Sequence, residues 1–210
     1  MKKSFIICIL FLLMFNSCIS LTSMWFTSYD SSHSTVKFKF NNSTGIKDKL
    51  NINGYFVEYK EDGDVRTIDE YHKLTFWEDG SLGHLQSKQS FFNGFICDIG
   101  DFYVINGYKN GAYTLQGDTI VADIFSFEPY VGGKMLYKCK FEIIDRNHLR
   151  MFYIEEFLNG KLTCSSTDVN DFYVFVACDD IPPSDVYMKK KKWMWESEAD
   201  YIMYKRINTK

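Results

Sequence analysis

Histidine and proline are scarce in this chain, with four and three in 210 residues, and no apolar run is long. The four histidines, His33, His72, His84 and His148, stand apart, each beside an expected turn or strand end, and read as surface or loop residues. No HExxH, GxSxG or Walker loop occurs. Gly132-Gly133-Lys134 lacks the upstream Gly and the hydroxyl residue after Lys that phosphate and Mg²⁺ binding need, and reads as a hairpin turn. The cysteines form no CxxC pair and have no His at ligand spacing, so zinc and thioredoxin-like redox chemistry lack support. Asp62-Gly63-Asp64 has too few oxygen ligands at alternating positions for a calcium loop. Glu155 and Glu156 are adjacent in an expected strand, so their side chains point to opposite faces and make no carboxylate pair alone. No cofactor is expected. Nothing in linear order sets a nucleophile beside a base, so a hydrolase built from carboxylates that only folding brings together is the least favoured reading.

Aromatics, by contrast, are plentiful: nineteen Phe, fourteen Tyr and four Trp. They favour pleated, half-buried surfaces, and with proline scarce they point to a β protein.

The chain begins with Lys2 and Lys3, an apolar run from Phe5 to Phe15, and then Asn16, Ser17 and Cys18. That order has the three parts of a signal peptide, and the run falls well short of the roughly 20 residues a bilayer-spanning helix needs. Phe15-Asn16-Ser17-Cys18 resembles the lipobox of bacterial lipoproteins, with Phe15 where Leu is usual and Asn16 where a small residue is usual. The resemblance implies removal of residues 1–17, lipidation of Cys18 and a membrane anchor of acyl chains, each methylene contributing about 0.8 kcal/mol. The alternative is ordinary cleavage after Ser20, which still exports the protein. No acidic run follows Cys18, so the expected address is the outer membrane, facing the periplasm.

The leader carries two of the 24 basic residues and no acidic one, so residues 18–210 hold 22 basic against 27 acidic groups, a net charge of −5. Nucleic acid is not the expected partner. These residues suit a single domain. Cys97, Cys139, Cys164 and Cys178 would meet an oxidising compartment, where four cysteines allow three pairings. A Cys164–Cys178 bridge would close a short loop, worth about 3 kcal/mol, and four free thiols are the alternative.

Along the chain, Val36, Phe38 and Phe40 alternate with Lys37 and Lys39, a strand with one wet face over Thr35–Phe40. Further strands are expected over Asn53–Lys60, from Val65, over Leu74–Trp77, and from Ser81 after the turn Glu78-Asp79-Gly80. Ala112–Leu115, Thr119–Phe127, Lys138–Ile144, His148–Phe157 and Lys161–Cys164 continue an antiparallel meander through turns at Gln116-Gly117-Asp118, Asp145–Asn147 and Asn159-Gly160. Asp171–Ala177 reads as a strand buried on both faces. After Pro182 and Pro183, Ser184 would cap a helix over about 184–195, and Tyr201–Ile207 would close the sheet. The fold class is therefore all-β, a meander barrel or sandwich with one short C-terminal helix and no internal repeat.

Leu74–Leu82, with Phe76 and Asp79-Gly80, and the hairpin from Gly111 through Ile120 resemble the lipocalin-like domains of small Gram-negative bacterial lipoproteins. The opening Leu21–Trp25, the hairpin Phe141–Met151 and Tyr201–Arg206 are similar to that family's entry strand, later hairpin and last strand, while Ser165–Lys192 lies outside the resemblance. The resemblance implies an up-and-down barrel of about eight strands, its mouth or interior open to a small apolar ligand.

Lys189, Lys190, Lys191 and Lys192 precede Trp193 and Trp195. Basic charge with interfacial aromatics suits an anionic headgroup layer beside the anchor. The favoured alternative is a packed terminal helix with its lysines on the wet side. The function expected is thus a lipid-anchored, non-enzymatic binding module; the alternative is an envelope structural or assembly protein acting through protein contacts.

Overall fold

The computed structural model describes residues 34–59, 73–87, 102–104, 110–128, 133–179, 181, 183–184 and 186–208. Cys18 and the leader, His33, His72, Asp62-Gly63-Asp64, Cys97 and the strand expected from Val65 lie outside them. Among the described residues there are ten strands: β1 Gly54–Tyr59, β2 Lys73–Phe76, β3 Ser81–Ser87, β4 Phe102–Val104, β5 Asn110–Gln116, β6 Thr119–Glu128, β7 Gly133–Asp145, β8 His148–Leu158, β9 Lys161–Ser166 and β10 Asp171–Ala177. Every pairing is antiparallel, in the order β10-β1-β2-β3-β5-β6-β7-β8. β8 then returns to β10, so the sheet closes into an eight-stranded barrel and not a sandwich.

Local chemistry sets the turns. Gly80, at φ 86°, and Gly117, at φ 63°, occupy the left-handed region that L side chains avoid. Asn159 and Gly160 both have positive φ, 49° and 79°, the arrangement a two-residue hairpin matching the twist of its strands requires.

The seam has an unusual edge. β8 pairs with β10 through His148–Met151, then with β9 through Ile154–Leu158. β3 divides its edge in the same way between β5 and β4. β4 and β9 are thus flaps hydrogen-bonded to the barrel and not part of its closed ring.

One face of the sheet points inward, and rings fill part of the interior. Phe76 meets Phe56, Tyr113 and Phe141 edge-on at centroid separations of 5.9, 5.3 and 6.2 Å, and Phe141 meets Tyr173 at 5.8 Å. Edge-to-face pairs of this kind add about 0.5–1.5 kcal/mol each beyond area burial. The floor is closed by a 3₁₀ turn, Ile46–Asp48, which brings Ile46 and Leu50 to complete burial. Its flanks tie the short hairpin turns together. Thr44 N–H donates to Glu78 O and Asn51 N–H to Arg146 O, both at 2.9 Å, while Lys49 pairs with Asp118. The Arg146 guanidinium donates back to the carbonyls of Lys47 and Asp48, at 3.1 and 3.2 Å.

Four expectations are corrected. Residues 34–40 do alternate in burial, with Val36 and Phe38 inside, but they make only an isolated parallel bridge, Phe38 to Trp195. They form a strap across the barrel's outer wall, fixed where the buried Asp123 carboxylate of β6 accepts the Thr35 and Val36 N–H groups at 2.6 and 3.0 Å. β10 is not buried on both faces: of its seven residues only Tyr173 is buried, because pairing to β1 and β8 covers its edges while its outer side chains meet solvent. The helix expected over 184–195 is instead two 3₁₀ turns, Tyr187–Lys190 and Lys192–Met194. The α-helix, α1, is Glu198–Asn208, where a closing strand was expected. Ser197 accounts for it: its Oγ accepts the Asp200 N–H at 3.1 Å and donates to the Asp200 carboxylate at 2.6 Å, a cap at the third helical position. Glu198 and Asp200 in the first turn and Lys205 and Arg206 in the last match the helix dipole. The barrel needs no further strand, since β10 already closes it.

Among the described residues no cysteine is in a disulfide. Cys139 is buried, Cys164 exposed and Cys178 half-buried. Cys164 sits opposite Glu156 on β8, whereas Val174, four residues before Cys178, sits opposite His148. Eight residues of strand separate those two levels, about 26 Å. That is far beyond the reach of a disulfide.

Candidate functional site

A cavity of about 250 Å³ lies above the ring cluster, with Leu74, Ile124, Cys139, Met151 and Ile154 on its apolar walls. Phe141 and Tyr173 form its base, shared with the ring cluster, and Tyr137 lines it from β7. Glu58, Glu156 and Asp171 complete it. Each acid comes from a different strand: β1, β8 and β10, consecutive around the barrel.

The position of each follows from pleat and register. On β1, Phe56 is in the core and Glu58, two residues on, shares its face. Asp171 precedes the inward Tyr173 by two on β10. Glu156 owes its position to a bulge. Leu149 and Met151 point inward, and an unbroken alternation would continue with Tyr153 and Glu155. Between Phe141↔Met151 and Lys140↔Tyr153 the register shifts, and Phe152 is the extra residue. A one-residue shift exchanges the two faces of a strand. Ile154 and Glu156 therefore turn inward, and Glu155 faces out, opposite Lys138. The two glutamates do take opposite faces, as expected from their adjacency.

A second polar cluster lies outside the cavity. Lys189, nearly buried, pairs with Asp79 in the β2–β3 turn, and its ammonium also donates to Ser184 Oγ at 2.6 Å and Ser184 O at 3.1 Å. The Ser184 and Ser81 hydroxyls are bonded to each other. A serine beside a lysine has the elements of a nucleophile–base pair. Here the ammonium is clasped by a carboxylate, so the cluster is a fastener between the C-terminal segment and a hairpin turn. Burial pushes the Asp79 carboxyl up, but the Lys189 charge and hydrogen bonds from Lys189 and Ser81 outweigh it and hold the group below its ordinary range. A depressed carboxyl stabilises the fold above its unfolded pKa, and that stabilisation is lost as pH falls through the folded value. Asp79→Asn should therefore lower the unfolding free energy measured in urea at pH 7 by an amount on the order of 1 kcal/mol, discounted because the carboxyl is partly exposed. The deficit should shrink between pH 7 and the lowest pH at which both proteins stay folded, as the Asp79 carboxyl takes up its proton. A deficit equal at both pH values would contradict this account.

The basic–aromatic run does not present one face. Lys189 and Trp195 are buried, and the Trp195 indole donates to Lys189 O at 2.8 Å and packs on Phe38 and Tyr204. Trp193 lies edge-on to Phe125 of β6, with the Lys37 ammonium over its ring. Lys190 and Lys192 are exposed, Lys192 pairing with Glu198, and Lys191 is half-buried. The two tryptophans pack the strap and the C-terminal segment onto the barrel.

His148 is partly exposed beside its turn, its Nδ1 on the Asp145 carboxylate at 2.8 Å. Among the described residues no group of three His, Cys, Asp or Glu is placed to hold a metal ion, and no helix is long and apolar enough to cross a membrane. Sequence reasoning did not assign Glu58 and Asp171 to a site. The available signal was a carboxylate on the core-facing phase of a strand that otherwise carries Phe or Tyr there. Compared with protein-family models, curated proteins and solved structures, the chain finds no match.

Proposed function

We propose that this chain is an exported, lipid-anchored binding module without enzymatic activity, whose barrel takes a small apolar ligand. The cavity of about 250 Å³ carries the reading, because its walls are largely aliphatic and aromatic and its volume is near the lower bound of small-molecule sites. The charged start, short apolar run and Cys18 support export and acylation, with residues 1–17 removed and the domain held at the outer membrane, facing the periplasm. The closed antiparallel barrel supports kinship with the lipocalin-like lipoprotein domains that the hairpins Leu74–Leu82 and Gly111–Ile120 resemble.

The test uses protein recovered from membranes. Mass spectrometry is expected to find a chain that begins at an acylated Cys18. The same material should raise the fluorescence of N-phenyl-1-naphthylamine, a neutral apolar probe. Ile154→Trp, which fills the cavity from its wall, should abolish that signal while keeping the wild-type circular dichroism. A retained leader would end the anchoring half of the proposal. Equal fluorescence from Ile154→Trp would end the pocket half and leave an envelope assembly protein as the better reading.

A further inference from the structure

We infer that the ligand of this cavity is an apolar molecule bearing a positive charge, a primary or quaternary amine on a short hydrocarbon body. The inference rests on the binding-module reading above and adds the chemical class.

Charge is sorted across the barrel wall. Of the described residues lining the cavity, Glu58, Glu156 and Asp171 are acidic, and none is Lys or Arg. The basic residues of the adjoining strand take the opposite phase. Lys138 and Lys140 of β7 stand opposite Glu155 and Tyr153 on the outer face, their ammonium groups over the rings of Phe157 and Tyr153. Glu58 is paired with Tyr173, two residues from Asp171 on the same face, so the two acidic residues are diagonal neighbours with backbone positions about 7–8 Å apart between strands. Glu156 enters only because of the bulge at Phe152; without it the wall would present Tyr153 and Glu155 inward.

Three carboxylates on an apolar cavity carry a cost. They repel one another, and a neutral occupant would strip water from Glu156 and Asp171 without replacing it. An anionic occupant adds to the repulsion. A cation offsets both terms, and the aromatic residues Tyr137, Phe141 and Tyr173 lining the same cavity are of the kind that attract a cation. A bare divalent ion fits less well, because the described acids form no metal-ligating group and the remaining walls are apolar.

The experiment displaces N-phenyl-1-naphthylamine from the membrane-derived protein at pH 7.5 and low salt with three ligands of one chain length: octylamine, 1-octanol and octanoate. Octylamine is expected to act at a concentration at least tenfold lower than octanol, and octanoate at the highest. Glu156→Gln should narrow the amine–alcohol gap at least threefold with octanol unchanged, while Glu155→Gln, on the outer face, should leave the gap intact. Octanol matching octylamine, or a gap unaltered by Glu156→Gln, Glu58→Gln and Asp171→Asn alike, overturns the charge preference and leaves the apolar pocket standing. Wild-type protein that binds neither the probe nor any octyl ligand overturns the pocket reading itself.

Discussion

Gly111→Val is expected to yield no folded protein. Gly111 lies opposite Ile124 where β5 and β6 pair, and a Cβ on it would stand 1.9 Å from the Asp123 carbonyl oxygen and 2.9 Å from its carbon. Both obstacles are backbone, so no rotamer change relieves them. Moving β6 would also displace Asp123, whose carboxylate holds the 34–40 strap. The cost exceeds the roughly 1–3 kcal/mol of ordinary overpacking and competes with the whole stability of a small domain. Gly117→Ala is the useful contrast. Nothing lies within 4 Å of its added Cβ, and only the positive φ of 63° is penalised, at about 1–2 kcal/mol. Soluble yield and far-ultraviolet circular dichroism should separate them: Gly117→Ala native, Gly111→Val absent or aggregated. Native spectra from Gly111→Val would mean that β5 and β6 do not approach as closely as described.

The second large effect is expected at Phe76. Its ring is 2% exposed and touches Phe56, Tyr113 and Phe141, so Phe76→Ala empties the centre of the cluster that fills the lower barrel. A loss of about 3–5 kcal/mol is expected from the removed transfer free energy and the void left behind. Urea denaturation should show a lower midpoint with an unchanged slope. A loss under 1 kcal/mol would show that the rings do not form the main support of the barrel.

The turns were legible because their chemistry is local. Asp79-Gly80, Gly117 and Asn159-Gly160 each demand a positive φ that only a few residues supply, and each is a hairpin turn in the barrel. Alternation was legible as burial but not as pairing. Val36 and Phe38 are buried as their spacing requires, yet against the outside of the barrel, and periodicity does not say which surface does the covering. Tyr201–Ile207 carries enough aromatic and β-branched residues to suggest a strand, but the cap formed by Ser197 and Asp200 overrides that weak preference. The site was the least legible. Glu156 faces the cavity because of a register shift at Phe152, a property of two strands in contact that no single strand's pattern contains. Asp171 and Glu58 are neighbours only once β10 has returned to β1, more than a hundred residues along the chain.

The floor segment has a kinetic consequence. Its residues precede every described strand, yet Thr44 bonds to Glu78, Lys49 to Asp118 and Asn51 to Arg146, partners 34, 69 and 95 positions later. Contacts so distant along the chain require long loops to close first, which slows folding toward the millisecond-to-second range seen for non-local β topologies. A nascent chain that has made its plug must therefore wait with Ile46 and Leu50 exposed until the last of those three hairpins is formed.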